Sequence, residues 1–135
     1  MNTPHIDQWL GANWVLTIIK RRYGGDIAAV MSYDEYDIGD FVSALGGGDS
    51  DGVHAGLYLE CSIVPVGFGK DLQEAMSNLE KRLGILDTDP TVKKDLWLTA
   101  YTAWCSDLRS FLEWGHPRPF DEHLQAKIAK YLLVV

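Results

Sequence analysis

The sequence predicts an α+β domain: a small antiparallel three-stranded sheet, made of a hairpin over 13–33 and a strand over 54–66, packed with helices and followed by a C-terminal helical pair. Three observations predict it. Apolar residues recur with a period of two in those two stretches and with helical spacing elsewhere. Glycine and proline pairs mark the joints between the stretches. The resulting order is α, β, β, α, β, α, α, α, with no internal repeat and no low-complexity run. A chain of 135 residues is long enough to bury one core without staples, so a single domain over 1–135 is expected, with an α/β part over 1–89 and C-terminal helices over 90–135.

Thr3-Pro4 is a capping residue followed by proline at the first helical position, which opens a short helix. Ile6, Trp9 and Leu10 share one of its faces, and Gly11 stops it. Asn13 to Arg22 is rich in β-branched residues and reads as a strand. Tyr23-Gly24-Gly25-Asp26 is the turn, because paired glycines tolerate positive φ. Ile27, Ala29, Met31 and Tyr33 alternate along the returning strand. Ile38, Phe41, Val42 and Leu45 then take helical spacing, capped by Asp34 and ended by Gly46-Gly47-Gly48. The third strand, His54 to Val66, carries Leu57, Leu59, Cys61 and Ile63 on one face, and Pro65 places its far end at an edge or leaving the sheet.

Gly67-Phe68-Gly69 is expected to turn the chain into a helix with the apolar stripe Leu72, Ala75, Met76, Leu79 and Leu83. Gly84 ends that helix, and Ile85 packs beyond the cap. Asp87-Thr88-Asp89-Pro90 starts a longer helix toward Trp114, whose wide apolar set includes Trp97, Tyr101 and Trp104 and implies burial on more than one side. The break from Gly115 to Pro119 precedes a last helix over Asp121 to Val135.

Charge is unevenly placed. Between Arg22 and Lys70 there is no lysine and no arginine, while eight acids fall there: Asp26, Asp34, Glu35, Asp37, Asp40, Asp49, Asp51 and Glu60. The net charge of −7 thus divides into −8 within that window and +1 outside it. Such a surface favours basic partners and disfavours direct nucleic-acid binding. Only one group within the window is compact in sequence. Tyr33, Asp34, Glu35, Tyr36, Asp37 and Asp40 form an acidic aromatic run, in which tyrosines supply rigid contact area and carboxylates supply steering. The same acids would also stabilise a helix start through capping and the macrodipole, each by roughly 0.3–1 kcal/mol. The cations Lys20-Arg21-Arg22 are expected to pair with acids of the facing strand.

Other motifs fall short of a chemistry. Asp49-Ser50-Asp51-Gly52 opens like a calcium loop but lacks the third acid and the distal glutamate. Gly67-Phe68-Gly69-Lys70 lacks phosphate-loop spacing. His116, Asp121, Glu122 and His123 cluster without a helical i, i+4 pair and a third ligand. His5 and His54 stand isolated, and Cys61 and Cys105 read as reduced, buried thiols. No nucleophile elbow is present. No catalytic residue, metal or cofactor is therefore assigned. The chain has no run of 18 apolar residues, and Met1 to Leu10 has neither a basic head nor an apolar core, so a cytoplasmic protein is expected.

Residues 66–83 (VGFGKDLQEAMSNLEKRL) pair a strand, a glycine turn and a polar cap with Glu74-Ala75 and Asn78-Leu79. This segment resembles the strand–turn–helix of HicB-like antitoxin domains and small phage-type proteins. The resemblance implies that Ala75 lets the helix approach the sheet and that Leu79 fills the interface. It implies no functional residue. The expectation for function is a small acidic binding protein that occludes a basic site on a partner, in the manner of an antitoxin, an immunity protein or a phage anti-defence inhibitor. Two alternatives stand beside it. One is an oligomeric protein that uses the tryptophan-rich helix 90–114 as its interface. The other is a small-molecule binder or enzyme with a pocket between the sheet and the C-terminal helices.

Overall fold

The computed structural model describes residues 2–20, 26–33, 64–88, 94–99, 101–103 and 106. They form an antiparallel three-stranded sheet with helices, an α+β architecture. The elements are α1 (Pro4–Gly11), β1 (Trp14–Lys20), β2 (Ile27–Tyr33), β3 (Val66–Gly69) and α2 (Leu72–Thr88), with further helical residues at 94–99 and 101–103. Strand order is β1-β2-β3.

The hairpin has the expected pairing, running from Trp14 opposite Tyr33 to Lys20 opposite Ile27. Its turn, 21–25, lies outside the described residues. The entry to β1 differs from expectation. Helix α1 includes Gly11, and the left-handed residue that reverses the chain is Asn13, at φ 70°. Asparagine tolerates that conformation better than most side chains. Leu10, expected on the buried face of α1, is instead 41 % exposed, and Ile6 and Trp9 carry the burial.

Among the described residues the third strand of the sheet begins at the far end of the expected one. Val66–Gly69 is sheet, paired antiparallel with β2, so Gly67-Phe68-Gly69 is strand rather than turn. Residues 54–63 of the expected strand lie outside the described residues. Because side chains alternate across a strand, Gly67 and Gly69 fall on the same face as Ala29 and Ile27, their partners in β2. Helix α2 covers that face. A Cβ at Gly67 would overlap the Ala75 carbonyl and the Leu79 amide, and one at Gly69 would overlap the Ala75 amide. The glycines are needed for space, not for an unusual φ. Asn78 Nδ2 donates to the Phe68 carbonyl at 2.6 Å, which fixes the helix along the strand.

Helix α2 starts with Asp71, whose Oδ1 accepts the Glu74 amide at 2.8 Å. Its buried stripe is Ala75, Leu79, Leu83 and Leu86. Leu72, expected in that stripe, is 51 % exposed in the first turn. Gly84 does not end the helix, which continues to Thr88, and Ile85 is half exposed rather than packed beyond a cap. Asp87 and Thr88 therefore close α2 instead of opening the next helix.

Strand β2 is the central strand, and every residue from Ala28 to Ser32 is buried. Both of its faces are thus covered, where alternation alone suggests one. Among the described residues no helix is long and apolar enough to cross a membrane.

Gly67→Ala is expected to lower the unfolding free energy by about 1–3 kcal/mol, because the helix backbone must retreat from the sheet. Gly11→Ala, where an added Cβ meets nothing within 4 Å, should leave stability unchanged or raise it by up to about 1 kcal/mol. Urea denaturation of the two variants side by side measures the contrast.

Candidate functional site

The flank of α2 beside its sheet-facing stripe carries Glu80, Gly84 and Asp87, spaced i, i+4 and i+7, and this flank receives α1. The Thr3 hydroxyl does not cap α1; it lies 3.4 Å from Asp7 Oδ1. The cap comes from across the fold. The Glu80 carboxylate accepts the His5 amide at 2.7 and 3.0 Å and the Ile6 amide at 3.1 Å. A carboxylate there also meets the positive end of the helix dipole. Gly84 makes room for the imidazole of His5: a Cβ at Gly84 would lie 3.3 Å from His5 Cδ2 and Nε2.

Asp87 is the hub of the next layer. Its Oδ2 accepts the Trp9 indole Nε1–H at 2.8 Å and lies 3.1 Å from His5 Nδ1. Its Oδ1 accepts Lys94 Nζ at 3.2 Å. The Asp87 side chain is only 11 % exposed, against 62 % for Lys94. Hydrogen bonds to a charged, largely buried group contribute roughly 1.5–3 kcal/mol, whereas an exposed ion pair contributes about 0–1 kcal/mol. The Trp9 bond therefore holds the hub, and Lys94 is peripheral to it.

Around Trp9 the aromatic side chains converge. Trp9 lies 4.6 Å from Trp14 and 5.6 Å from Trp97, between ring centroids. Trp97 is stacked with Trp14 at 5.8 Å and with Tyr101 at 5.5 Å. Tyr33 meets Trp14 edge to face at 5.1 Å, as their direct pairing across the hairpin requires. Trp97 and Tyr101 are buried. They stand i, i+4 on one helical face, and that face is turned into the fold.

The three tryptophans and Tyr33 line an open pocket of about 280 Å³. Its walls include Trp9, Trp14, Tyr33, Leu86 and Trp97, and its charged groups are Asp87, Lys94 and Asp95. On another flank of α2, Arg82 is half buried, and burial pulls its guanidinium below its ordinary pKa.

Of the residues expected to bind a partner, Tyr33 is in the pocket wall. Asp34, Glu35, Tyr36, Asp37 and Asp40 lie outside the described residues, as do Cys61, Cys105 and the cluster from His116 to His123. Lys20 is exposed opposite Ile27 and forms no ion pair among the described residues, while Arg21 and Arg22, expected with it to pair across the hairpin, lie outside them. His5, isolated in sequence, is a partner of Asp87. The one local signal for this assembly was Gly84, a glycine persisting inside a helical pattern. No protein-family model, curated protein or solved structure matches the chain.

Glu80→Ala should destabilise the fold by about 1–2 kcal/mol, the cost of a lost helix cap, and Glu80→Gln by less because an acceptor remains. Asp87→Ala should cost about 1.5–3 kcal/mol and Lys94→Ala under about 1 kcal/mol, by the same reasoning on buried and exposed partners. Chemical denaturation followed by circular dichroism tests the ordering, and an equal cost for Asp87 and Lys94 would contradict it.

Proposed function

We propose that the chain is a small acidic cytoplasmic binding protein that occludes a basic site on another protein, as antitoxins, immunity proteins and phage-encoded inhibitors of host defence do. The observation that carries this reading is the position of Tyr33. It is the last residue of β2 and part of the pocket wall, and the sequence continuing from it is the acidic run Asp34 to Asp40. Aromatic contact area and a concentration of carboxylates thus adjoin along the chain. Interfaces use the first for affinity and the second for steering. The net charge of −7 acts in the same direction.

A second reading, a small-molecule binder with its site between the sheet and the later helices, is favoured by the pocket itself. It predicts that a thermal-shift screen against nucleotides and amino acids raises Tm in proportion to ligand concentration.

For occlusion, the triple variant Asp34→Lys, Glu35→Lys, Asp37→Lys is the test. The immobilised wild-type chain should capture a basic protein from a lysate of its source organism. Capture should weaken as salt shortens the Debye length from about 10 Å at 0.1 M to about 3 Å at 1 M. The folded triple variant should lose that protein. Equal capture by the triple variant rules the proposal out.

A further inference from the structure

We propose that the aromatic pocket is a seat for the guanidinium of an arginine side chain projecting from the basic partner. This rests on the occlusion reading and adds to it the residue type recognised and the place where it is held.

The walls suit a flat group. Trp14 and Tyr33, each partly accessible, line the pocket with their ring planes 69° apart. A planar cation can stack on one surface and direct its N–H groups past the other. The rings are held in place from behind. Trp9 is tied to Asp87 through its indole N–H, and Trp97 stacks on Trp14. Little side-chain freedom is then lost on binding.

The charges select the sign. Asp87 and Asp95 contribute −2 to the lining and Lys94 +1, leaving −1. Lys94 is already engaged with Asp87. Asp95 is exposed, and its carboxylate has no hydrogen bond or ion pair among the described residues; its backbone carbonyl alone is used, by Thr99. An anion would face two carboxylates. A neutral apolar group would cover them without supplying a donor, which costs free energy.

Guanidinium is favoured over ammonium on the same grounds. It is flat, weakly hydrated and carries five donors, whereas the lysine ammonium is a compact and strongly hydrated charge. The pocket, about 280 Å³, is large enough to admit one guanidinium.

The test uses the intact chain and three blocked tripeptides, acetyl-Gly-Xaa-Gly-amide with arginine, lysine or norleucine as Xaa. Binding is followed by the NMR shifts of the tryptophan indole N–H groups. The arginine peptide should shift the indoles saturably, with a dissociation constant on the order of millimolar, as one side chain allows. It should bind more tightly than the lysine and norleucine peptides. Asp95→Asn changes an exposed side chain and should leave the spectrum folded while weakening arginine binding by about three- to tenfold. Trp14→Phe keeps an aromatic wall of smaller area and should weaken it as well, and an unchanged Tm for Asp95→Asn separates its effect on binding from one on the fold.

Absence of saturable shifts, or tighter binding of norleucine than arginine, overturns the inference. Tighter binding of free L-arginine than of the blocked tripeptide overturns the protein source of the guanidinium. The two proposals fail separately. If the triple lysine variant loses the captured partner but the arginine peptide leaves the indoles unmoved, occlusion stands and the arginine seat falls. If the peptide binds but capture ignores the triple variant, occlusion falls.

Discussion

The fold depends on backbone-to-backbone approach between β3 and α2. Two glycines on one face of β3 remove the side chains that would hold the helix off, and Ala75 does the same from the helix side. With Cβ atoms absent, Leu79 can sit fully buried over the sheet and Asn78 can bond the Phe68 carbonyl. Interiors pack near crystal density, so one added methyl at such a contact is felt along the whole helix. Everything else described hangs on where α2 then lies.

Helix α2 uses two faces for two chemistries. Its apolar stripe covers the sheet, while Glu80, Gly84 and Asp87 hold α1 by polar contacts. The second face explains why Trp9 is immobilised and why Trp14, one turn beyond α1, is stacked against Trp97. The pocket is a by-product of that geometry. Three tryptophans from three segments of the chain meet where α1 gives way to β1, and the hairpin register adds Tyr33. Its aromatic walls come from hydrophobic packing, but its sign comes from the two carboxylates at its edge, one engaged and one open.

Much of the fold was legible locally. The period-two pattern of 14–20 and 27–33 gave the hairpin, and the stripe through Ala75, Leu79 and Leu83 gave α2. What escaped was set by distant contacts. Gly67-Phe68-Gly69 looks like a turn because glycine favours turns, yet here glycine answers a steric demand from a neighbouring helix. Gly84 looks like a helix stop for the same reason and is instead a recess for His5. Thr3 looks like a cap, but Glu80, far along the chain, is the better acceptor. In the site, Tyr33 was legible as an aromatic beside an acidic run. Its neighbours Trp9, Trp14 and Trp97 were not, since no local pattern relates residues so far apart in sequence.

The distant cap of α1 also sets an order of events. An eight-residue helix is too short to persist alone in water, and this one has no cap of its own. Its first amides find acceptors only when the middle of α2 has formed and docked on the sheet. Closing that span carries the entropy of a long loop, which must be met before the contact rewards it. During synthesis, α1 leaves the ribosome well before α2, yet it gains its hydrogen-bond partners only afterwards. Of these two helices, the one made first is the one ordered second.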